Sequence, residues 1–328
     1  MDISAKFMGF DIQSPVIAGS CSKTGNLDNI KRLEDKGIGA VILNSLFEEQ
    51  ISKENSNNMR LIHDAGDMRE AYNFISSKTD IQPISEYLEL IRKAKESTNI
   101  PIIASINCIS TNEWMQFATD IQQAGANGLE LNMFTLPVDV YISAEEIERL
   151  YEDTIQIIRR AVSIPISLKI SSYSASLAKL CQKLSYMGIS NLSIFNRFIQ
   201  HDIDINKEEF IPTNFLSDEK EIYKTISWTA VLSNLINCSL SASGGVHSPE
   251  DVIKLLLVGA STVQLRSVLF TQGFDFVQQA NDYLKSWMQN KGYQKLNAFK
   301  GHMAIQKNST ASAFFRVQYM KYYSDVEQ

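Results

Sequence analysis

The stretch that decides the fold is Ser239–Leu265, which reads SLSASGGVHSPEDVIKLLLVGASTVQL. A short apolar run is followed by two glycines, and Ser248 then supplies a helix N-cap with a proline directly after it. The helical pattern Pro249–Leu257 stops before Gly259, where a C-terminal cap requires a positive φ, and a second apolar run begins at once. This order of strand, helix and strand predicts one βαβ unit of a parallel sheet.

The same rhythm extends over most of the chain. Short apolar runs alternate with segments of helical period, and Gly37, Gly125 and Gly188 mark helix ends in the same way as Gly259. The repetition predicts an α/β fold, a (β/α)8 barrel of the TIM type that spans residues 1–328 as a single domain. The predicted strands are Pro15–Ser20, Gly39–Ser45, Pro101–Asn107, Gly128–Asn132, Pro165–Ile170, Asn191–Asn196, Ser239–Ser243 and Thr262–Leu265.

A few regions depart from this rhythm. Polar excursions follow the second and sixth strands, at Glu48–Gln82 and Arg197–Ser217. We expect both on the C-terminal face, where barrel enzymes keep their substrate loops. The N-terminal residues 1–12 are predicted to form a hairpin that closes the opposite end of the barrel. The tail, 292–328, contains a helical pattern at 313–320 that would pack on the barrel or on a partner subunit.

Composition excludes several classes of protein. A formal net charge of −6 gives no general attraction to nucleic acid or to anionic membranes. The 4 cysteines are scattered without a CxxC pair, which argues against zinc, iron–sulfur and disulfide frameworks. The N-terminus has no charged leader with an apolar run, and no segment reaches the roughly 20 apolar residues of a membrane span. We therefore predict a cytoplasmic protein with no nucleic-acid or membrane partner.

Polar residues follow the predicted strands, at the barrel face where function is expected. Asparagine is frequent among them, and an asparagine is costly to bury without hydrogen-bond partners. This pattern favours a flat, neutral ligand with several hydrogen-bonding edges, although each amide could instead cap a neighbouring loop. The strand-end residues are Ser20, Asn44, Ser45, Asn107, Asn132, Lys169, Asn196, Gly244, Gly245, Arg266 and Ser267.

Lys169 carries the most chemical information in this set, because a lysine buried at a strand end needs a partner. Three interpretations stay open. The ammonium could stabilise an anionic edge of a cofactor, form a Schiff base as in barrel aldolases, or pair with a carboxylate such as Glu130.

The ends of the last two strands predict a phosphate site. Gly244 and Gly245 allow close approach of an anion and lead into the helix capped by Ser248, whose dipole favours negative charge. Arg266 and Ser267 add a cation and a hydroxyl after the eighth strand. Barrels commonly bind phosphate at these two loops.

Together these elements resemble the dihydroorotate dehydrogenase family of FMN-dependent barrels. The resemblance implies FMN, with its phosphate on the last two loops and Lys169 against the pyrimidine edge of the ring. Ser20, Ser45, Asn107, Asn132 and Asn196 would then hydrogen-bond the flavin or the substrate. The similar elements are Ser14–Ser20 (SPVIAGS), Glu130–Asn132 (ELN), Leu168-Lys169, Ser243–Val246 (SGGV), Gly259–Leu265 (GASTVQL) and Lys291–Tyr293 (KGY).

The implied activity is oxidation of a CH–CH bond in a small molecule, of the dihydroorotate type that serves pyrimidine biosynthesis. The electron acceptor is unknown, and homodimers are common in this fold. The implied catalytic residues are Lys169 and Asn132, with Thr135 near the position of the family's base. A Schiff-base lyase and a non-catalytic flavin-binding barrel are the alternatives.

The sequence also departs from the family. Asn44 and Ser45 end the second strand, where the family carries a lysine, and the family's substrate loop is not recognisable in 62–74. The family's base would fall near Phe134 or Thr135. His63 with Asp64, or His201 with Asp202, are other candidate bases. Cys21 is interpreted as a packing residue.

Overall fold

The computed structural model describes residues 1–47, 84–108, 114–133, 135–198, 200–306 and 311–326. Within these residues the parallel strands form a closed barrel surrounded by helices, so the predicted (β/α)8 architecture is confirmed. The last barrel strand pairs with the first, and Val263 lies opposite Val16 in their register. A closed parallel barrel places the carboxyl end of every strand at one mouth.

The strands begin and end close to the predicted positions, with one difference. In place of the second predicted strand, Gly39–Ser45, the chain forms two short strands at 41–42 and 46–47 that both pair with the next strand of the barrel, and residues 43–45 lie between them. Asn44 stands in this gap, and asparagine disfavours strand structure. In chain order the strands are β1 (Ala5–Phe7), β2 (Phe10–Ile12), β3 (Val16–Ala18), β4 (Val41–Ile42), β5 (Leu46–Phe47), β6 (Ile102–Cys108), β7 (Gly128–Met133), β8 (Ile166–Ile170), β9 (Asn191–Ile194), β10 (His201–Asp204), β11 (Glu209–Pro212), β12 (Ser239–Ser243) and β13 (Thr262–Leu265).

The helices end where glycine permits a left-handed backbone. Gly37, Gly125, Gly188 and Gly259 have φ values of 82°, 92°, 84° and 104°, which confirms their predicted role. Ser248 caps its helix through a reciprocal capping box with Asp251, as its sequence pattern predicts. The helices are α1 (Leu27–Asp35), α2 (Ile84–Ser97), α3 (Trp114–Gln123), α4 (Ala144–Ala161), α5 (Leu177–Ser185), α6 (Ile222–Leu232), α7 (Pro249–Leu257), α8 (Ser267–Thr271), α9 (Asp275–Lys291) and α10 (Ala311–Val326).

The lower half of the barrel interior is apolar. Strands β1 and β2 form an antiparallel hairpin. Its buried Phe7 and Met8 contact Ile17 and Ile42 of the first two barrel strands in one apolar cluster. This cluster excludes water from the amino end of the barrel and leaves the carboxyl end as the place for a ligand.

The upper half of the interior is polar, although the sequence pattern predicts the strands as apolar runs. Ser167 and Lys169 of β8 are buried, and so are Ser193 of β9 and Gln264 of β13. The residues between them, such as Leu168, belong to the main apolar cluster that the strands share with the helices. Side chains alternate across a strand, so the polar set points inward and the apolar set outward.

The remaining described segments are the excursion after β9 and the tail. The excursion after β9 contains the antiparallel hairpin of β10 and β11, which we call the 201–212 hairpin. The excursion Glu48–Gln82 lies outside the described residues. In the tail, α10 exposes Phe314, Tyr319 and Met320 to solvent. None of the helices among the described residues has the length and apolar character needed to cross a membrane.

Tyr87 of α2 hydrogen-bonds the backbone of β6, the third strand of the barrel, and a mutation can test this contact. Its buried hydroxyl donates to the carbonyl oxygen of Ser105 at 3.2 Å and accepts from the Ser105 amide at 2.9 Å. Tyr87→Phe should lower the free energy of unfolding by about 2 kcal/mol, because two buried backbone groups lose their partner. Urea unfolding measures this change. Tyr186→Phe, at an exposed position, is the control, and equal stability of the two variants would contradict the role of the hydroxyl.

Candidate active site

The strand-end serines and asparagines form a hydrogen-bonded chain across the barrel mouth. The hydroxyls of Ser20 and Ser45 lie 2.9 Å apart, and that of Ser45 lies 2.8 Å from Ser105 Oγ. Asn196 Nδ2 donates to Asn132 Oδ1 at 2.7 Å, and Asn132 Nδ2 lies 3.4 Å from Ser45 Oγ. The amides of this pair therefore bond to each other rather than to neighbouring loops. Asn107, also predicted here, is buried at the end of β6.

Lys169 is buried in the mouth, and its Nζ donates to Gln264 Oε1 at 3.4 Å. Burial lowers the pKa of Lys169, the carboxylate of Glu130 opposes this shift, and the charge of Arg266 adds to it. Among the described residues Lys169 forms no direct ion pair. The proposed pairing with Glu130 is thus indirect, with the Gln264 amide between the two charges.

The turn after β12 has the backbone that an anion site requires. Gly244 and Gly245 have φ values of 103° and 77°, a region that favours glycine. A Cβ on Gly245 would lie 2.1 Å from the backbone nitrogen of Ile222, so this position must be glycine for packing alone. A Cβ on Gly244 would meet only Thr225 Oγ1 within 4 Å, at 3.7 Å. Space is therefore open beside Gly244, directly before helix α7.

Arg266 is a half-buried cation near the ends of the last two barrel strands. Its guanidinium carbon lies 4.5 Å from the ring centroid of Phe215, which belongs to the excursion after β9. No carboxylate among the described residues pairs with it, whereas Arg197 Nε donates to both carboxylate oxygens of Glu221, at 3.0 and 3.1 Å. Burial lowers the pKa of Arg266, and the charge of Arg197 lowers it further. A partly buried cation that no described carboxylate neutralises favours the binding of an anion.

The excursion after β9 covers the same side of the mouth. The amide of Ser217 donates to Ser267 Oγ at 2.9 Å, which ties the end of the excursion to the start of α8. His247 Nε2 lies 3.0 Å from Ser217 Oγ. A cavity of about 510 Å³ lies between the excursion and the strand ends. Its lining includes Tyr173, Phe195, Asn196, Arg197, Lys224 and Gly244.

No described residue supplies an obvious general base. The carbonyl oxygen of Thr135 accepts from Ser171 Oγ at 3.2 Å, and no carboxylate or imidazole among the described residues hydrogen-bonds the Thr135 hydroxyl. His201 and Asp202 are exposed on the 201–212 hairpin. His63, Asp64 and Phe134 lie outside the described residues.

Two small residues lie close to the buried lysine. Burial raises the pKa of the Cys21 thiol, which favours the neutral form of a packing residue over a reactive thiolate. A Cβ on Gly19 would lie 3.3 Å from Gln264 Oε1 and 3.4 Å from the Leu265 carbonyl oxygen. Glycine at position 19 therefore keeps the wall beside Gln264 flat.

Sequence reasoning missed several residues of this site. Gln264 and Ser193 were hidden in strands interpreted as apolar, although their alternation with Val263 and Leu192 was a visible signal of inward-facing positions. Phe215 gave no signal, because its contact with Arg266 depends on how the excursion folds back.

The family model described as dihydroorotate dehydrogenase matches residues 2–288. The chain belongs to the dihydroorotate dehydrogenase family. The resemblance inferred from the strand-end motifs is thereby confirmed.

Similar proteins of this family come from archaea and bacteria. The dihydroorotate dehydrogenase B (NAD(+)) catalytic subunit of Thermoplasma volcanium is 23% identical over 315 residues, which cover 93% of this chain and 99% of the relative. The subunit of the same name from Methanocaldococcus jannaschii is 24% identical over 298 residues, covering 88% and 94%. The NAD-dependent dihydropyrimidine dehydrogenase subunit PreA of Escherichia coli K12 is 22% identical over 320 residues, covering 92% and 76%.

Proposed function

We propose that this member of the dihydroorotate dehydrogenase family is an FMN-dependent oxidoreductase that acts on a CH–CH bond of a small molecule. The observation that carries the proposal is Arg266, a half-buried cation that pairs with no described carboxylate, directly after the strand next to the positive-φ turn at Gly244 and Gly245. A phosphate monoester would supply the missing negative charge.

The residues at the mouth fit the remainder of such a cofactor. Arg266, Ser267 and the turn at Gly244 would hold the phosphate. The flat wall beside Gly19 suits an aromatic ring, because any side chain there would crowd Gln264. Ser20, Ser45, Asn107, Asn132 and Asn196 offer donors and acceptors to the polar edge of a flavin or to the substrate.

When bound, FMN would supply the capacity to accept a hydride from the substrate. Lys169 would place a fixed positive charge in a buried site, where it stabilises developing negative charge more strongly than in water. Asn132 and Asn196, already joined by a 2.7 Å hydrogen bond, would orient the substrate. Thr135 is our proposed proton acceptor, and its low intrinsic basicity predicts slow proton transfer.

The relatives suggest the substrate class and the electron acceptor. They are named for dihydroorotate and for dihydropyrimidine, and each is named as a subunit with NAD. We propose a dihydropyrimidine-type substrate in cytoplasmic pyrimidine metabolism, with a homodimer as the core assembly. We also propose that the electrons leave through an NAD-linked partner, as the names of these relatives suggest.

A visible spectrum followed by anaerobic titration tests this function. The purified protein, or the protein after addition of FMN, should absorb near about 450 nm, and dihydroorotate or dihydrouracil should bleach that band. Colourless protein that does not respond to FMN would end the proposal. Flavin that binds but is never reduced by either compound would favour a non-catalytic flavin-binding barrel. The Schiff-base interpretation instead requires covalent mass at Lys169 after borohydride treatment with an aldehyde.

Arg266→Met should weaken FMN binding by about tenfold, because one charge-assisted contact to the phosphate is lost. The same variant should leave the affinity for riboflavin, which lacks the phosphate, nearly unchanged. Fluorescence quenching titrations with the two flavins measure both affinities. Arg160→Met, at an exposed position of α4, is the control. An equal loss for FMN and riboflavin would show that Arg266 does not contact the phosphate.

A further inference from the structure

Glu130 of β7 is a completely buried carboxylate in the polar half of the barrel interior. Its Oε2 lies 3.0 Å from Ser193 Oγ, 3.2 Å from Ser167 Oγ and 3.4 Å from Gln264 Nε2. Its other oxygen, Oε1, is buried without a hydrogen-bond partner among the described residues. A carboxylate in these surroundings needs a nearby positive charge.

The direction of each hydrogen bond follows from Lys169. An ammonium only donates, so the oxygen of the Gln264 amide must face Lys169 and its nitrogen must face the interior. Gln264 Nε2 donates to Ser193 Oγ at 2.9 Å, and Asn191 Nδ2 donates to the same oxygen at 3.1 Å. Both acceptor sites of Ser193 are then used, and its hydroxyl donates to Glu130 Oε2 at 3.0 Å, a shorter contact than the 3.3 Å to Ser167 Oγ.

This order makes Glu130 Oε2 the acceptor in all three of its hydrogen bonds. Gln264 therefore connects a negative charge on one side to a positive charge on the other. The neighbours of Lys169 with electrostatic influence come from three places: Glu130 on β7, Arg266 after β13 and Cys21 after β3. Burial opposes the ammonium most strongly and Arg266 adds to this, while Glu130 and, more weakly, Cys21 favour it.

We propose that Glu130 is a positioning residue, which acts through Gln264 to keep Lys169 charged and fixed in the barrel mouth. The use of that charge toward a flavin rests on the function proposed above, but the coupling of the three side chains does not. Glu130 is the first residue of the motif ELN and Asn132 is the last. In this proposal Glu130 acts on Lys169, whereas Asn132 lies in the barrel mouth.

The test measures the pKa of Lys169 itself. Protein labelled with ¹³C at the lysine ε-carbon is titrated by NMR, and the Lys169 resonance is assigned by its absence in Lys169→Arg. Glu130→Gln keeps the shape and removes the charge, and it should lower the pKa of Lys169 by about one unit. Gln264→Met, which removes the connecting amide, should lower it in the same direction. Glu130→Asp, which keeps the charge, should restore most of the difference.

Ser241→Ala is the matched control. It removes two hydrogen bonds from the same interior, to Asn191 Oδ1 and to Thr262 Oγ1, and leaves the three coupled side chains in place. An unchanged Lys169 pKa in Glu130→Gln, or an equal fall in Ser241→Ala, would overturn the proposal. If Glu130→Gln does not fold, an unchanged Lys169 pKa in Gln264→Met would overturn the proposal, because the coupling is proposed to pass through this amide.

Flavin titrations on the same samples separate the two proposals. Wild-type protein that binds no FMN would refute the function but leave the lysine titration valid. Normal FMN binding with an unmoved lysine pKa would refute the role of Glu130 alone.

Discussion

Replacement of Lys169 by methionine should lower the reduction potential of the bound flavin by about 60 mV, a hundredfold change in the equilibrium of a two-electron couple. The reason is the loss of a buried cation beside the group that gains negative charge on reduction. Methionine preserves most of the side-chain volume, and the hydrogen bond that it removes is the one from Lys169 to Gln264. Reduction in equilibrium with a dye of known potential measures the change.

Lys300→Met is the control for the loss of a half-buried ammonium as such. Burial also lowers the pKa of Lys300, but this residue follows the turn at Leu296–Ala298, outside the strand ends. Its replacement should leave the flavin potential unchanged. Equal potentials in wild type and in Lys169→Met would remove Lys169 from the proposed flavin contact.

Gly244→Asp should weaken FMN binding by more than about a hundredfold, since like charges about 4 Å apart repel by about 4 kcal/mol near a protein surface. The aspartate would enter the open space beside the turn, where we place the phosphate. Flavin content after purification and titration of the apoprotein with FMN measure the loss.

Backbone strain alone is a competing cause, because residue 244 has a φ of 103°. Gly292→Asp controls for it: Gly292 has a φ of 77°, with nothing within 4 Å of an added Cβ, and it caps α9. This variant should lose stability and keep its flavin. Loss of flavin in both variants would assign the effect to strain rather than to charge.

The barrel could be predicted because its signals are local. Gly37 and Gly259 end helices within one turn of the chain, and the Ser248 capping box spans four residues. The split of the second strand at Asn44 was missed, although the low strand propensity of asparagine indicated it. Strand boundaries depend on pairing with neighbours, which a single segment does not reveal.

The mouth could be predicted only in part, because contacts between distant segments decide its electrostatics. Lys169 and the asparagines were found at strand ends, where topology alone brings them together. The contact of Phe215 with Arg266 and the bond from Lys169 to Gln264 join residues that no sequence pattern links. The inward-facing serines and Gln264 stand at every second position of their strands. The apolar residues between them nevertheless led to the interpretation of these strands as apolar.

The aromatic cover on Arg266 has a consequence for how an anionic molecule reaches this protein. With a formal net charge of −6, the surface as a whole repels such a molecule at long range. Phe215 displaces water from one face of the guanidinium, so the local field there is screened less than at an exposed arginine. A single partly buried cation can thus bind an anion that the net charge of the protein repels. Binding is therefore expected to depend on short-range contacts at Arg266 rather than on long-range electrostatic steering.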